Sequence, residues 1–344
     1  MPNRVLVVIP TLNERAHVPQ VLLQLVQEAP HFQDLSIAVV DGGSTDGTQA
    51  AVMEMSGQWP AIRLIHNPAR IQSAAMNLAA RRLGGDADVL IRCDAHATYP
   101  PDFCRRLVDT LDRVGADAVV VPMDSMGETC LQRAIAWVSN SPIGTGGAAH
   151  RGGRRSGFVD HGHHAAFRMA AFRRVGGYDE SFTHNEDAEL DCRQRALGGR
   201  VYLDADIRIG YRPRQTLAAL ARQYYRYGAG RARTARRHPG SLRLRQLAVP
   251  VHVAASLLAV AASAWWPVGL LWPALYVLAL LATSLWMTAR HRSACGLWAG
   301  PAAAVMHTAW GFGFLLSWLA TREPRWVPKM AVQLHAEPAE GQVA

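Results

Sequence analysis

The stretch RVLVVIPTLNE, residues 4–14, joins an uninterrupted run of mostly β-branched residues to an abrupt polar end. A run of this kind is typical of a strand that is buried on both faces of a parallel sheet. It stops at Pro10, and helical spacing follows through Val18, Val21, Leu22 and Leu25. The stretch therefore predicts the first strand, loop and helix of an α/β domain.

The alternation of strand and helix continues along the first half of the chain. Buried strands are predicted at residues 37–40, 62–65, 89–92 and 118–121, and helices at 48–55 and 73–83. This order indicates a doubly wound, Rossmann-like sheet. Further along, the pattern predicts helices at 165–175, 188–197 and 215–237, a strand at 201–203 and a mobile loop at 141–157.

An uncharged run of 44 residues, 246–289, contains no Asp, Glu, Lys or Arg. It predicts membrane spans at about 249–266 and 268–287, each near the ~20 residues that cross a bilayer. Tryptophans near the ends favour spans over the alternative, a helical hairpin buried in a soluble core. A third apolar segment at 297–319 either crosses or is re-entrant. Crossing would place three basic residues outside, against the positive-inside rule: Arg322, Arg325 and Lys329.

Charge in this chain is concentrated next to the uncharged run. The chain has 36 basic and 27 acidic residues, a formal net charge of +9, and eleven Arg lie between Arg208 and Arg245. The positive-inside rule places such a block on the cytoplasmic side of a membrane. The charge is therefore explained by the membrane, and no nucleic-acid partner is expected. Residues 4–9 are too short an apolar run for a signal peptide.

The chain is thus expected to have three parts. Residues 1–240 are predicted as a cytoplasmic α/β domain that includes an interfacial helix at 215–237. Residues 241–322 are predicted as a membrane domain, and residues 323–344 as a polar tail. The α/β domain is expected on the cytoplasmic side of the membrane.

The five cysteines have no metal-ligand spacing: Cys93, Cys104, Cys130, Cys192 and Cys295. They are expected to be free thiols, since the predicted compartment is reducing. No chemistry is assigned to them.

Polar residues follow three of the predicted strands. Ligands in open α/β sheets bind beyond the carboxyl ends of the strands, so these residues predict a site for a nucleotide diphosphate. Each segment alone would also fit a turn or a helix cap, which is the alternative. The predicted contacts are Pro10, Thr11, Asn13, Glu14, Asp41, Ser44 and Asp94, together with Asn77 from the helix at 73–83.

A candidate metal site follows the fourth strand. Asp94 and His96 stand two positions apart, on one side of an extended segment. A carboxylate and an imidazole suit Mn²⁺ or Mg²⁺ bridging a diphosphate, and a simple strand-end turn is the alternative. His163, from the histidine-rich run 160–164, is added as a metal or diphosphate ligand. A zinc site in that run is the alternative, but the run lacks partners with zinc-like spacing.

Two acidic residues, Glu186 and Asp187, open the helix predicted at 188–197. Their alternative explanation is favourable interaction with the helix dipole. An ionised carboxylate here would also serve as a general base that takes a proton from an acceptor hydroxyl. Both are predicted as catalytic residues.

The helix predicted at 215–237 is both basic and aromatic. Such a helix can lie at a membrane interface or close over a sugar nucleotide, and a solvated amphipathic face is the alternative. Its candidate donor-binding residues are Gln223, Arg226 and Tyr227.

Taken in order, these segments make residues 4 to about 230 resemble the family 2 glycosyltransferases, whose catalytic domain has the GT-A fold. Within that family the chain is similar to bacterial membrane enzymes of succinoglycan-type exopolysaccharide assembly. The resemblance implies that the segments 10–14 and 41–48 hold the nucleoside. It also implies that Asp94 holds metal and diphosphate and that Asp187 is the base. The chain departs from the family pattern at His96, where the family has Asp, and at Tyr227, where it has Trp.

The resemblance implies an inverting, metal-dependent transfer of glucose from a UDP-sugar to a lipid-linked saccharide. The implied cofactor is Mn²⁺ or Mg²⁺. The implied partners are the nucleotide-sugar donor, the lipid-linked acceptor, the membrane and other polysaccharide-assembly proteins. The Tyr227 substitution and the small number of spans favour a single addition over processive synthesis. Two alternatives stay open: a polyprenyl-phosphate glycosyltransferase, and a non-catalytic membrane scaffold of a polysaccharide assembly complex.

Overall fold

A computed structural model describes residues 3–146 and 153–328, with nothing described for the side chain of His164. These residues form two compact units, one of 3–123, 153–210 and 327–328 and the other of 124–146 and 211–326. The predicted domain boundary at residue 240 was placed where the membrane segments begin, and it stays a prediction. The loop predicted at 141–157 and the tail predicted at 323–344 fall partly on 147–152 and 329–344, which lie outside the described residues.

The first unit begins with the predicted alternation of strand and helix. Its elements are β1 (Arg4–Thr11), α1 (Val18–Val26), β2 (Asp34–Asp41), α2 (Thr48–Gln58), β3 (Ile62–His66), α3 (Gln72–Leu83), β4 (Val89–Arg92), α4 (Phe103–Val114) and β5 (Ala118–Val120). The strands and helices predicted in this half are confirmed, and α4 is an addition. The next element is β6 (Met123–Ser125), at the boundary of the first unit. Helices α5 (Cys130–Ser139) and α6 (Pro142–Thr145) follow and belong to the second unit.

The chain then completes the sheet of the first unit. The elements in order are β7 (Gly157–Val159), β8 (His164–Arg168), α7 (Met169–Arg174), α8 (Glu186–Ala196), β9 (Val201–Leu203) and β10 (Ile209–Tyr211). The eight-stranded sheet has the order β3-β2-β1-β4-β8-β5-β9-β7, and β10 pairs with β6 in a second small sheet. Strands β3, β2, β1 and β4 are parallel, whereas β8 is antiparallel to both of its neighbours. The α/β prediction is confirmed, with a mixed sheet.

The prediction of a helix over 165–175 was wrong in its first half. His164–Arg168 form β8, which pairs with β4 and β5, and helix α7 begins only at Met169. Ala166 and Phe167 are fully buried in that position. Pairing with two strands and burial outweigh the intrinsic helix propensity of alanine, which is a weak preference.

Strand β1 is buried on both faces, as its composition predicts. Leu6 and Val8 pack with Ala75 and Met76 of α3 in one hydrophobic cluster. The alternate residues on the opposite face, Val5, Val7 and Ile9, are 0–2% exposed. This burial fixes the strand in the sheet, and so it fixes the position of the polar residues that follow it.

The second unit contains four long helices. They are α9 (Leu217–Arg237), α10 (Leu244–Ala262), α11 (Leu271–His291) and α12 (Ala299–Ala320). Three segments are long and apolar enough to cross a membrane: Leu244–Ala262, Pro267–His291 and Ala294–Ala320. The three apolar segments are therefore confirmed as helices, and α10 starts before the predicted residue 249.

The prediction of free thiols is wrong for two cysteines. Cys130, at the start of α5, forms a disulfide with Cys295, which precedes α12. The two are 165 residues apart in the sequence, so their spacing could not reveal the pairing. Cys93 and Cys104 are buried thiols, as predicted.

Candidate active site

The loops that follow β1 and β2 are bonded to each other. Asn13 has a positive φ of 58°, a conformation that Asn tolerates better than most residues. Its backbone N–H donates to Ser44 Oγ at 2.8 Å, and its side-chain oxygen accepts from the Thr45 N–H at 2.9 Å. The end of β1, with Pro10 and Thr11, is thereby held next to residues 43–45.

Asp41 organises this pair of loops from a buried position. Its carboxylate accepts from the Gly43 and Ser44 N–H groups at 2.8 and 2.9 Å, and from Gln49 Nε2 at 2.6 Å. Thr11 Oγ1 and Ser44 Oγ are also partners. Burial raises the pKa of Asp41, but these hydrogen bonds outweigh it and the pKa is lowered. Asp41 is thus an ionised centre that shapes the loops.

Glu14 links the first loop to the segment after β4. Its Oε1 lies 2.8 Å from His96 Nδ1, and its Oε2 lies 3.0 Å from His17 Nδ1. Burial raises the pKa of Glu14, but the contacts with the two histidines outweigh this effect. The pKa of Glu14 is therefore lowered from its ordinary value. The structure therefore places the imidazole of His96 with Glu14.

Asp94, at the end of β4, has partners on several sides. Gln72 Nε2 donates to its Oδ1 at 3.0 Å, Arg92 Nε lies 3.4 Å away, and His163 Nε2 lies 3.6 Å from its Oδ2. Burial raises the pKa of Asp94, but the charges of Arg92, His163 and His96 lower it to about 2. Asp94 is therefore ionised throughout the neutral range.

Arg92 connects the two acidic parts of the site. Its side chain is 5% exposed, and its Nη1 lies 2.9 Å from Asp187 Oδ1 and 3.8 Å from Glu186 Oε1. Its Nε faces Asp94. One buried guanidinium thus lies among three carboxylates, which brings residues 94 and 187 into one site although they are far apart in the sequence.

Glu186 and Asp187 form the first turn of α8. The helix starts after Asn185, whose φ is 65°, so the chain turns sharply there. Burial and the neighbouring Asp187 raise the pKa of Glu186 to about 7. The catalytic roles of Glu186 and Asp187 stay a prediction.

Asp187, Tyr178 and Asn77 are joined by a chain of hydrogen bonds. Tyr178 Oη donates to Asp187 Oδ1 at 2.8 Å. Asn77 Nδ2 donates to the Tyr178 carbonyl and to Glu180, and Asn77 Oδ1 accepts from the Tyr178 N–H. Asn77 is 3% exposed. The structure places the Asn77 amide against Tyr178, and its assignment as a nucleotide contact stays a prediction.

A short His-Gly-His segment runs along α8. His163 Nδ1 lies 3.7 Å from Asp187 Oδ2, while His161 Nδ1 lies 2.8 Å from Asp191 Oδ2. The Gly162 N–H also donates to Asp191, which is fully buried. A Cβ at Gly162 would collide with Val120. Asp191 therefore holds the segment so that His163 lies between Asp94 and Asp187.

These residues fit a divalent cation that binds together with a diphosphate. Among the described residues, no three His, Cys, Asp or Glu side chains lie close enough to hold a metal ion by themselves. Asp94 and His163 are adjacent, and Mg²⁺-type ions commonly take one or two protein ligands plus substrate phosphates and water. The assignment of His96 as a third ligand stays a prediction, since its Nδ1 faces Glu14.

Gln223, Arg226 and Tyr227 lie on α9 in the second unit. Gln223 Nε2 donates to the hydroxyl groups of Tyr211 and Tyr227, both at 2.9 Å. Their contribution to the donor site stays a prediction.

Arg92, Tyr178 and Gln72 were missed by the sequence analysis. Arg92 is a charged residue at the end of an otherwise apolar strand, two positions before Asp94, and that was a usable signal. Tyr178 and Gln72 carry no such signal, because their roles depend on where α3 and α8 lie in the fold.

The fold and the acidic site at the strand ends are those of a glycosyltransferase, and the chain belongs to that class. The family model described as glycosyl transferase family 2 matches residues 6–176. The chain is 43% identical over 313 residues to the succinoglycan biosynthesis protein ExoA of Rhizobium meliloti (strain 1021). The matched region covers 90% of this chain and 93% of that protein. This chain is a member of glycosyl transferase family 2.

One more distant relative and two solved structures are also similar to this chain. The polyprenol monophosphomannose synthase of Mycolicibacterium smegmatis is 33% identical over 121 residues, 34% of this chain and 44% of that protein. The mannosyltransferase PcManGT of Pyrobaculum calidifontis, in complex with GDP-Man and Mn²⁺, has a TM-score of 0.56 at 22% identity and covers 89% of this chain and 87% of that one. GalNAc-T7 with UDP, GalNAc and Mn²⁺ has a TM-score of 0.50 at 15% identity, over 70% of this chain and 51% of that one. The GT-A-type fold is thus confirmed.

Proposed function

We propose that this protein is an inverting, metal-dependent glycosyltransferase of bacterial exopolysaccharide synthesis, active at the inner membrane. It would transfer glucose from UDP-glucose to a lipid-linked saccharide. The observation that carries the proposal is the bridge that Arg92 makes between Asp94 and Asp187, the two residues expected to face the diphosphate and the acceptor. The 43% identity to a succinoglycan biosynthesis protein supports the pathway.

In this mechanism Asp187 accepts the proton of the acceptor hydroxyl. Its Oδ1 accepts from Arg92 and Tyr178, and these contacts fix the orientation of the carboxylate. A base with a fixed orientation removes the proton as the oxygen attacks C1 of the donor sugar, opposite the leaving diphosphate. A direct displacement of this kind inverts the configuration at C1.

Donor binding falls to the loops after β1, β2 and β4. The segments around Asn13 and Ser44 are held by their mutual hydrogen bonds and form a rigid edge for the nucleoside. Asp94 and His163 would hold the divalent cation, which when bound neutralises charge on the leaving diphosphate. Arg92 remains behind them as a buried cation that keeps Asp94 ionised.

The first competing function is transfer to a bare polyprenyl phosphate, and the relative from M. smegmatis favours it. The arginine block 231–245 would be the natural phosphate site. However, Arg231 bonds to Ser241 and Gln246, and both Arg233 and Arg237 pair with Glu323. Because these guanidinium groups have protein partners, we favour the lipid-linked saccharide as acceptor.

A transfer assay separates these functions. Membranes containing the wild-type chain or the matched Asp187→Asn control are offered UDP-, GDP- and dTDP-sugars with either lipid-linked saccharide or polyprenyl phosphate. Glucose added from the UDP-sugar to the saccharide, absent in the control, is the expected result. A product formed on polyprenyl phosphate alone would establish the alternative. Nucleotide binding without any product in all arms would indicate the non-catalytic scaffold.

A further inference from the structure

A disulfide joins two segments of the second unit. Cys130 is the first residue of α5, and Cys295 lies in the short helical turn Ala294–Trp298 that precedes α12. The two cysteines differ in accessibility, since Cys130 is exposed and Cys295 is 9% exposed. A small thiol or disulfide from solution therefore reaches the sulfur of Cys130 first.

The position of Cys130 at the start of a helix favours exchange chemistry. Thiol–disulfide exchange proceeds through a thiolate, and the N-terminus of a helix stabilises a thiolate. Two other cysteines of the chain have the opposite environment. Burial raises the pKa of the Cys93 and Cys104 thiols, which keeps these thiols protonated and unreactive. The pair formed by Cys130 and Cys295 is thus chemically distinct from the two buried thiols.

Helix α5 is also held in place by contacts that do not involve sulfur. Ile135 packs in one hydrophobic cluster with Met306 of α12. The ring of Trp137 stacks on the ring of His291, with 4.0 Å between the ring centroids and 2° between the planes. These contacts remain when the disulfide is reduced, so the two thiols stay near each other. Bond formation is then an intramolecular step with a high effective concentration, which makes the disulfide easy to close again.

The disulfide lies beside the charged end of α11. Arg290 and His291 end this helix, and Arg292 follows it. The positive-inside rule places such a group on the cytoplasmic side, together with the arginine block that precedes α10. Thiols are kept reduced in the cytoplasm, and disulfides that form there are usually transient and either catalytic or redox-sensing. This location therefore favours a reversible bond over a permanent structural one.

We propose that Cys130 and Cys295 form a redox site that is oxidised by a small cytoplasmic disulfide and reduced by a cytoplasmic dithiol. In the oxidation, the Cys130 thiolate attacks one sulfur of the small disulfide, forms a mixed disulfide and releases a thiolate, which takes up a proton. Cys295 then loses its proton and attacks Cys130 Sγ, which expels the second thiol. The protein pair loses two electrons and two protons, and the small disulfide gains them. This inference rests on the proposed function only for the cytoplasmic location.

The bond sets how firmly α5 is fixed to the helices around it. Leu220 of α9 belongs to the same hydrophobic cluster as α5, and Tyr224 packs against that cluster. Gln223, next to Tyr224 in the sequence, donates to the hydroxyl groups of Tyr211 and Tyr227. Opening the disulfide removes a covalent link between residues 165 positions apart. The reduced protein therefore has a more mobile α5, packed against the part of α9 that carries the candidate donor-binding residues.

Thiol trapping in cells tests the redox state of the full-length chain. Cells are quenched with acid and their thiols are capped with N-ethylmaleimide, after which disulfides are reduced and tagged with a maleimide polymer. We expect no tag in growing cells, two tags after a pulse of diamide, and none again after the diamide is removed. Cys130→Ser should lose both tags, and the matched control Cys192→Ser should keep both. Two tags at all times, or none after diamide, would overturn the proposal.

A titration of the purified protein measures the same site without cells. The wild type in detergent is equilibrated with mixtures of reduced and oxidised glutathione, and the tags are counted. We expect half-oxidation within the glutathione ratios of the cytoplasm. A pair that stays oxidised in every mixture would be a structural disulfide and would contradict the proposal.

Hydrogen exchange then reports what the bond controls. The amides of α5 should exchange several-fold faster in the reduced protein, and Cys130→Ser should match the reduced protein in both redox conditions. Equal exchange in the oxidised and reduced wild type would show that the bond does not control α5. Sugar transfer enters none of these readouts, so failure of the proposed function leaves the tests intact.

Discussion

Arg92 Nη1 lies 2.9 Å from Asp187 Oδ1, and both side chains are largely buried. The pair joins the last residue of β4 to the first turn of α8. A buried charge of one sign is costly unless it is paired, so each residue depends on the other to be in this place. The ion pair therefore holds β4 and α8 together inside the site, and it sets the position of Asp187.

Replacing Arg92 should harm both the fold of the site and its activity. Arg92→Met leaves three carboxylates without their buried cation, and loss of one partner of such a pair costs about 3–5 kcal/mol. We expect a lower Tm in detergent and a large loss of kcat. Arg92→Lys keeps the charge and should recover part of both. Equal kcat in wild type and Arg92→Met would show that Arg92 does not position the base.

Asp187→Asn should abolish transfer while donor binding survives. The amide keeps the shape of the carboxylate but cannot accept the proton, and loss of a general base costs about 10²–10⁴-fold in rate. The check is a radiolabel transfer assay together with calorimetry of UDP-sugar binding. Asp191→Asn, one helical turn away, is the comparison variant. Asp187→Asn turnover within a few-fold of wild type would remove Asp187 from the role.

Metal dependence should pass through Asp94 and His163. Asp94→Ala and His163→Ala should each weaken UDP-sugar affinity measured with Mn²⁺, and EDTA should stop turnover, because the cation links these side chains to the diphosphate. His96→Ala is the informative comparison, since His96 bonds to Glu14. Unchanged nucleotide affinity with and without Mn²⁺ in the wild type would contradict this site.

Glu186 should make stability depend on pH. Its pKa is raised from 4.5 to about 7, so the folded protein retains a proton that the unfolded chain has released. The stability of the wild type should therefore fall as the pH rises from about 4.5 to 7. Glu186→Gln removes this loss, so its Tm relative to wild type should increase across that range. A constant difference in Tm from pH 5 to 8 would place the pKa of Glu186 near its ordinary value.

Asn77 offers a test between a nucleotide contact and an internal support. Its amide bonds to Tyr178, which in turn bonds to Asp187. Asn77→Ala should lower Tm, since a buried polar group left unpaired costs about 1–3 kcal/mol. It should also lower kcat and leave the Kd for the UDP-sugar near the wild-type value. A weaker Kd with unchanged kcat would support the nucleotide contact that the sequence predicts.

Much of the fold followed from the sequence because its signals are local. The buried strands β1 to β5 read as β-branched or apolar runs, and polar residues mark their ends. Strand β8 was misread as helix, since a run such as Ala-Ala-Phe has no local feature that reveals pairing with β4 and β5. The disulfide between Cys130 and Cys295 was missed for the same reason, because chain contacts 165 residues apart leave no spacing pattern.

The sequence by itself determined the class of domain, the strand-end residues and the three apolar segments, because periodicity, charge and run length are written in neighbouring residues. The tertiary structure alone decided which of those residues act together. It placed Arg92 between Asp94 and Asp187, turned His96 towards Glu14, and set the Asn77 amide against Tyr178. It also set the arginine-rich α9 against α12. The physical reason is that ion pairing and burial depend on distance in space, and sequence order does not specify that distance.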